Sequence, residues 1–432
     1  NWELEMKNNF PFCSIIILNY FGEKVIDKTI NSVLNINYPK NNYEIIIVDN
    51  NSQDKSQAIL KKIAKKYKNI KLIFSDKNLG FAGGNNLGIK KTKGKYVVLL
   101  NNDCVVDKNW LIELVKIAEK NEKIFAIGSK LILYPKYFDY IIKQNDVYIL
   151  KKVTLIKSNL LSYTKEKEIA IDFYSKEKKI KLEVPYDHFY DKNINIKLQY
   201  LNQKLLTKKL VVKINIEEIK KKSYSKVQNA GILVFQDGYG RDIGSIIYHQ
   251  KQNYEKDKNQ YNKIVERYAA CGASVLYRKS ILDKIGLLDE NSFMYYEDVD
   301  ICERARLLGY KTFFSPKSVA YHLHALSSKE WSPFFIYHSE KGRLLHIFFN
   351  FPILLFIKEF IIFFFRSIGR LIKNTHSIKD FKLNIQYIKI IFYFLTNFLF
   401  LLNQRIFRLK NIDKNKIKEN YQRILSGHWL FD

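Results

Sequence analysis

Between residues 14 and 133, short apolar runs alternate with helix-length amphipathic runs, a pattern that restricts the chain to a parallel sheet with helices on both faces. The runs 14–18, 44–48, 71–74, 96–100 and 125–133 are dense in isoleucine, valine and leucine, as strands buried on both faces must be. Between them, 25–34, 54–67, 85–91 and 110–120 carry the helical period. Open sheets of this class bind ligands at the carboxyl ends of their strands. The residues that follow the runs are therefore the first candidates: Asn19, then Asp49-Asn50-Asn51-Ser52, Asp76-Lys77-Asn78 and Asn101-Asn102-Asp103.

At 432 residues the chain exceeds what one core usually holds. From about 136 to 228 glycine disappears, lysine is frequent, and period-two alternation at 179–184, 193–200 and 209–216 predicts an inserted β-rich element with antiparallel pairing. The α/β character returns at Ala230, with a strand expected at 271–277, a helix at 279–285, and a second helix at 297–308 closed by Gly309. The predicted organisation is α/β: a first half at 12–135, the insertion at 136–228, a second half at 229–328 and a helical apolar region at 329–432.

That last region holds two phenylalanine-rich runs, 348–365 and 388–402. Lys358 and Glu359 interrupt the first, so neither reads as a clean membrane span. Arg366, Arg370 and Lys373 flank the first run and Arg405, Arg408 and Lys410 the second, which predicts an interfacial pair on an anionic membrane surface. The formal charge of +29 suits anionic partners, although the lysines are spread along the chain. No basic stripe with interleaved aromatics stands out, so nucleic acid is not an expected partner. Cys13, Cys104, Cys271 and Cys302 are far apart and form no Cys-x-x-Cys pair, as expected of a chain in a reducing cytosol. Residues 1–9 lack the apolar stretch of a signal peptide.

Four motifs carry chemistry. Asp49 can accept hydrogen bonds from a base or a ribose, while Ser52 can simply cap the next helix. The stretch Asn78-Leu79-Gly80-Phe81-Ala82-Gly83-Gly84-Asn85-Asn86 is a glycine-rich turn opening a helix, where backbone N–H groups can approach an anion. It matches neither the dinucleotide fingerprint nor the phosphate loop. Asp103, after an apolar strand, is a seat for a hard divalent cation. Glu297-Asp298-Val299-Asp300 follows the aromatic run Phe293-Met294-Tyr295-Tyr296, whose apolar wall can raise a carboxylate toward the range of a general base. His322 and His324 end a further apolar segment.

In order, Asp49-Asn50-Asn51-Ser52, Asn78 through Asn86, Asn101-Asn102-Asp103, the run from Gly286 through Asp289 to Asp300, and Tyr321-His322 resemble family 2 glycosyltransferases. The branch they look like is that of bacterial rhamnosyltransferase-like enzymes of surface polysaccharide synthesis. The resemblance covers 12–133 and 230–328. It implies a GT-A fold with a Rossmann-like sheet and a nucleotide-sugar donor at the strand ends. Donor contacts would come from Asn19, Asp49, Asn51, Asn78, Gly80, Gly84, Asn85 and Asn102. Asp103 and His322 would hold Mg²⁺ or Mn²⁺ against the diphosphate, Asp298 would be the catalytic base, and Tyr296, Glu297 and Asp300 would lie on the acceptor side. Many relatives carry Asp-x-Asp where this chain has Asn101-Asn102-Asp103.

The implied reaction is an inverting, single-sugar transfer to a hydroxyl of a glycan or lipid-linked glycan, in the cytoplasm at the inner face of the cell membrane. The Gln-x-x-Arg-Trp motif of processive synthases does not occur. A sugar-1-phosphate nucleotidyltransferase would want a glycine- and arginine-rich loop after the first strand, where this chain has Asn19-Tyr20-Phe21-Gly22-Glu23. A non-catalytic nucleotide-binding or membrane scaffold protein is the remaining alternative.

Overall fold

The computed structural model describes residues 10–134, 136–143, 149–156, 166–169, 179–186, 194–201, 207–214, 221, 223–248, 251–323, 331–373, 378–410, 412–422 and 424. The chain forms two compact units, one of 1–131, 228–253 and 261–432, the other of 132–227 and 254–260.

In the larger unit the expected alternation appears as β1 (Cys13–Asn19), α1 (Ile26–Leu34), β2 (Tyr43–Asp49), α2 (Ser56–Ala64), β3 (Ile70–Phe74), α3 (Gly80–Ile89), β4 (Tyr96–Asn101), β5 (Cys104–Val106), α4 (Trp110–Ala118) and β6 (Ile124–Leu133). The central strands run in the order β3, β2, β1, β4, then β19 (Ser274–Arg278) and β6. Strand β1 is parallel to β2 and β4, β2 is parallel to β3, and β19 is antiparallel to both β4 and β6. The antiparallel β19 enters the middle of the sheet, so the loop before it arrives at the same edge as the carboxyl ends of β1 and β4. The register makes this concrete, because Ser274 stands opposite Leu100 and Asn19 opposite Asp49.

Two apolar layers sandwich the sheet. Alternate side chains of β1, β2 and β4 face α1, α4 and the buried Trp110 on one side. Ile16, Val48 and Leu99 face a second core on the other, shared with residues of α3, α5 (Lys279–Ile285) and α6 (Glu297–Leu307). That second core also takes in Leu344, Phe348, Phe394 and Leu401, from α7 (Pro333–Asn350) and α9 (Ile378–Leu409). The described residues from 331 onward therefore belong to the larger unit, whereas the sequence suggested a separate segment. Its polar cement includes Arg405, which donates to the carbonyl oxygens of Phe348 and Phe351, and Arg408, which pairs with Asp289 and Asp300. These two arginines, expected at a membrane surface, are spent inside the protein. Isoleucine and phenylalanine occupy both faces of these helices, so periodicity alone does not say which face meets protein.

Helix α8 (Ile353–Lys373) and helix α9 each turn one face inward, through Phe356, Glu359, Phe363 and Ser367, and through Tyr387, Ile390, Phe394 and Leu401. Among the described residues, only the stretch Asp380–Leu409 is long and apolar enough to cross a membrane by length and composition.

The smaller unit carries β7 (Lys136–Lys143), β8 (Ile149–Ile156), β9 (Glu166–Ile169), β10 (Lys179–Tyr186), β11 (Ile194–Leu201) and β12 (Thr207–Ile214). β7 pairs with β10, and β12, β11, β8 and β9 form a sheet in that order, all antiparallel as the alternation predicts. Residues 193, 215 and 216 of the predicted strands lie outside the described residues.

Candidate active site

At the carboxyl ends of β1 and β2 a polar cluster is built almost wholly from asparagine and aspartate. The fully buried Asp49 carboxylate accepts from Asn19 Nδ2 at 2.7 Å, from the Ser52 backbone N–H at 3.0 Å and from Gln57 Nε2 at 3.0 Å. Asn19 Oδ1 accepts in turn from Asn102 Nδ2 at 3.1 Å, linking the ends of β1, β2 and β4. A Cβ on Gly22 would collide with Asn19 Oδ1 and meet Asn102 Nδ2 at 2.8 Å, so glycine is what lets the first loop pass over this cluster. Asn51 takes the left-handed backbone region (φ 65°), where asparagine is tolerated, and turns the chain out of β2.

The glycine-rich segment does something other than expected. It already belongs to α3, and its leading N–H groups are engaged within the protein. Gly80 N–H donates to Asn78 Oδ1 at 2.9 Å, while Phe81 and Ala82 N–H both donate to the carbonyl of Phe293, at 2.6 and 3.2 Å. A Cβ on Gly80 (φ 71°) would lie 2.4 Å from that carbonyl oxygen. Gly84 packs on Leu18 and the buried Asn85 donates to the Phe81 carbonyl. Thus Gly80 and Gly84 let α3 pack against the 286–296 loop and β1, Asn78 joins it to Asn50, Asn85 bonds within the helix, and the N–H groups of Gly80, Phe81 and Ala82 are taken up inside the protein. Asn50 completes the clasp, donating to Asn78 Oδ1 and Gly80 O and accepting from Leu79 N–H.

Asp103 and His322 come together from sequence positions far apart. Strand β20 (Lys311–His322) pairs with β5 so that His322 stands opposite Cys104. His322 Nε2 lies 3.1 Å from Asp103 Oδ1, and Nδ1 lies 2.7 Å from Gln228 Oε1. With Nδ1–H donating to Gln228, Nε2 turns its lone pair toward the Asp103 carboxylate oxygen and lies 3.4 Å from Asn101 Nδ2. Two ligands of one hard divalent ion at about 2.1 Å stand about 3 Å apart when adjacent, so these two atoms fit a shared cation. The buried Cys104 lies near both, completing a group of three side chains that could hold an ion, and burial raises its thiol well above the ordinary range while no ion is bound. His324 lies outside the described residues.

The backbone at 272–273 joins this pair to the acidic helix. Ala273 O accepts from Asn101 N–H at 2.9 Å, two residues before Asp103, and Gly272 N–H donates to Asp298 Oδ2 at 2.9 Å. Asp298 Oδ1 accepts from Val299 N–H at 2.8 Å, yet burial outweighs both donors and raises its pKa above the usual aspartate value. Glu297 is raised further, first by burial and then by the Asp298 charge, and its buried Oε2 has no hydrogen-bond partner among the described residues. Tyr296 has left-handed backbone (φ 68°) and accepts from Gly240 N–H at 2.9 Å through its hydroxyl. Phe293 and Tyr295 share that conformation, at φ 65° and 69°. Three such residues in four concentrate backbone strain beside the carboxylates, a placement typical of functional loops.

Asp300 is a correction. Expected on the acceptor side, it is buried and fully spent on Arg304 Nε at 2.9 Å, Arg408 at 3.1 Å and Asn350 Nδ2 at 2.9 Å. Burial alone would raise its carboxyl, but the two guanidiniums overcome this and hold it at about 2. Gln228, the 272–273 backbone and Arg408 were not recognised from the sequence. Each acts through a partner at least 26 residues away, so no local motif marks it.

Residues 14–176 match the family model described as "Glycosyl transferase family 2". An uncharacterized glycosyltransferase of Haemophilus influenzae is 37% identical over 123 residues, covering 28% of this chain and 38% of that protein. A poly(ribitol-phosphate) beta-glucosyltransferase of Bacillus spizizenii is 27% identical over 200 residues, covering 41% of this chain and 32% of that protein. The chain thus spans about a third of the length of these relatives. Among solved structures, GalNAc-T7 with UDP, GalNAc and Mn²⁺ aligns at 14% identity with a TM-score of 0.47, over 90% of this chain and 58% of that one. Residues 14–176 of this chain carry the sequence pattern of Glycosyl transferase family 2.

Proposed function

We propose that the protein is an inverting, non-processive glycosyltransferase that moves one sugar from a nucleoside diphosphate donor to a hydroxyl of a glycan or lipid-linked glycan. The observation that carries this reading is the joining of two unlike acidic sites by one backbone segment. Ala273 is tied to the strand end before Asp103, and Gly272 to Asp298. The Asp103–His322 pair is suited to a divalent cation, Mg²⁺ or Mn²⁺, which supplies positive charge against the diphosphate of the leaving group. Asp298, raised by burial but still accepting two N–H groups, is suited to take the proton of the attacking hydroxyl. Attack on the face of the anomeric carbon opposite the departing nucleotide inverts that centre.

The polar cluster of Asn19, Asp49, Asn51 and Asn102 is the donor end of this reading, with Tyr296 and Glu297 toward the acceptor. The similarity to a poly(ribitol-phosphate) beta-glucosyltransferase supports a surface-polymer hydroxyl, and the rhamnosyltransferase-like branch remains our reading of the motifs. We read the protein as cytoplasmic and peripheral to the inner face of the cell membrane. Leu354, Phe365 and Ile372 on α8, and Leu399 and Phe407 on α9, are 68–82% exposed, and this apolar surface needs a cover. A panel of nucleotide sugars screened by thermal shift with Mn²⁺ or Mg²⁺, followed by product analysis with hydroxyl acceptors, tests the reading. Failure of every nucleotide sugar to raise the melting temperature sinks it. Binding without transfer or donor hydrolysis would point instead to a non-catalytic scaffold.

A further inference from the structure

The last turns of α9 reach the loop and helix that carry Asp298. The Arg408 guanidinium forks, one nitrogen 3.1 Å from Asp289 Oδ2 and the other 3.1 Å from Asp300 Oδ1, while its plane lies 3.9 Å from the centre of the Phe349 ring. One turn earlier, Gln404 Oε1 accepts from Asn291 Nδ2 at 2.8 Å. Asp289 precedes the strained residues Phe293, Tyr295 and Tyr296, and Asp300 follows Glu297 and Asp298. A single side chain therefore grips both ends of the segment in which Asp298 sits.

The strain gives that grip a purpose. Left-handed backbone at non-glycine residues is strained and persists only where surroundings enforce it. Arg304 ties Asp300 to the carbonyl oxygens of Ile285, Gly286 and Leu287 at the start of the loop, Asn86 holds Leu288, and the Phe81 and Ala82 N–H groups hold the middle, at Phe293 O. Arg408 adds a second link, made from a distant helix and by charge at both ends, between Asp289 in the loop and Asp300 in the helix start. Arg408 and Gln404 thus bear on Asp289, Asn291 and Asp300, at the Asp298 end of the site.

We infer that Arg408 is a positioning residue for the transfer step, holding Asp298 in register through Asp289 and Asp300 without touching a reacting atom. This rests on the reading of Asp298 as the base. The test uses the full chain with Arg408→Lys, which keeps the charge but loses the fork, and Asp289→Asn combined with Arg408→Gln, which leaves no unpaired charge if the first variant fails to fold. For each, kcat, donor KM, calorimetric donor affinity and melting temperature are measured beside Asp298→Asn. A fall in kcat of about tenfold or more is expected, with donor KM and affinity within about twofold of wild type. Wild-type kcat in a folded variant overturns the inference, as does a parallel loss of kcat and donor affinity. Near-normal transfer by Asp298→Asn would instead sink the base reading, so the two failures are distinguishable.

Discussion

His322 Nε2 stands 3.1 Å from Asp103 Oδ1 while Gln228 Oε1 fixes its other nitrogen at 2.7 Å, so a carboxylate from the turn after β4, an imidazole from the end of β20 and an orienting amide from the strand Lys226–Asn229 converge. Asp103→Asn removes the one carboxylate of the pair and should weaken donor binding in the presence of Mn²⁺ far more than in its absence. Gln228→Leu leaves both ligand atoms in place but frees the ring, and should cost roughly 10–100-fold in metal affinity, the usual worth of an orienting partner. Calorimetric titration of Mn²⁺ and of donor reads both. Unchanged metal affinity in both variants would remove the cation from this site.

Asp298→Asn should leave donor affinity nearly intact and lower turnover by roughly 10²–10⁴-fold, as loss of a positioned general base does. Burial raises the Asp298 carboxyl, and a base must be ionised to work, so kcat should fall as pH drops through a value above the ordinary 3.8 of aspartate. Glu297, also raised and adjacent, shares that titration, and the acid limb belongs to the pair. Profiles of kcat against pH for wild type and Glu297→Gln test this. An acid limb that Glu297→Gln leaves in place at full amplitude keeps Asp298 as the base.

The expected strands and helices from 14 to 133 appear within a few residues of their predicted limits, because buried parallel strands and amphipathic helices write their periods locally. The strand-end residues Asn19, Asp49 and Asp103 were legible for the same reason. What was not legible depends on partners distant in sequence. Gly80 reads as an anion turn until Phe293 O is seen 2.4 Å from where its Cβ would stand. Asp300 reads as a third acidic site residue until Arg408, from 108 positions away, closes on it. Likewise Phe348 and Phe394 look like membrane residues, yet their rings pack 6.4 Å apart within the protein core.

Acid stability offers an independent check on the Asp300 cluster. Its folded pKa, about 2, lies below the ordinary 3.8, so its contribution is complete above that ordinary value and is lost as pH falls toward about 2. The shift corresponds to on the order of 2 kcal/mol. Asp300→Asn should be less stable than wild type at neutral pH, and the difference should shrink steadily between pH about 4 and 2. Chemical denaturation at stepped pH measures it. A difference that stays constant over that window would mean that Asp300 is not ionised in the folded protein.

Membrane contact is best tested on the outer faces of α8 and α9, because α7 to α9 share the sheet's core and a chain ending near residue 328 would lose it. Leu399 and Phe407 are 74% and 82% exposed, so Leu399→Glu and Phe407→Glu should fold normally. Transfer of such a side chain out of water is worth about 1.5–3 kcal/mol, so the double substitution should weaken vesicle binding by about a hundredfold or more. Arg366 and Arg370, exposed on α8, should add a smaller, salt-sensitive share of about 1 kcal/mol each on anionic vesicles. Sedimentation with phosphatidylglycerol vesicles at low and high salt separates the two contributions. If the folded double variant pellets like wild type at high salt, the apolar faces do not meet the bilayer, and a protein partner becomes their cover.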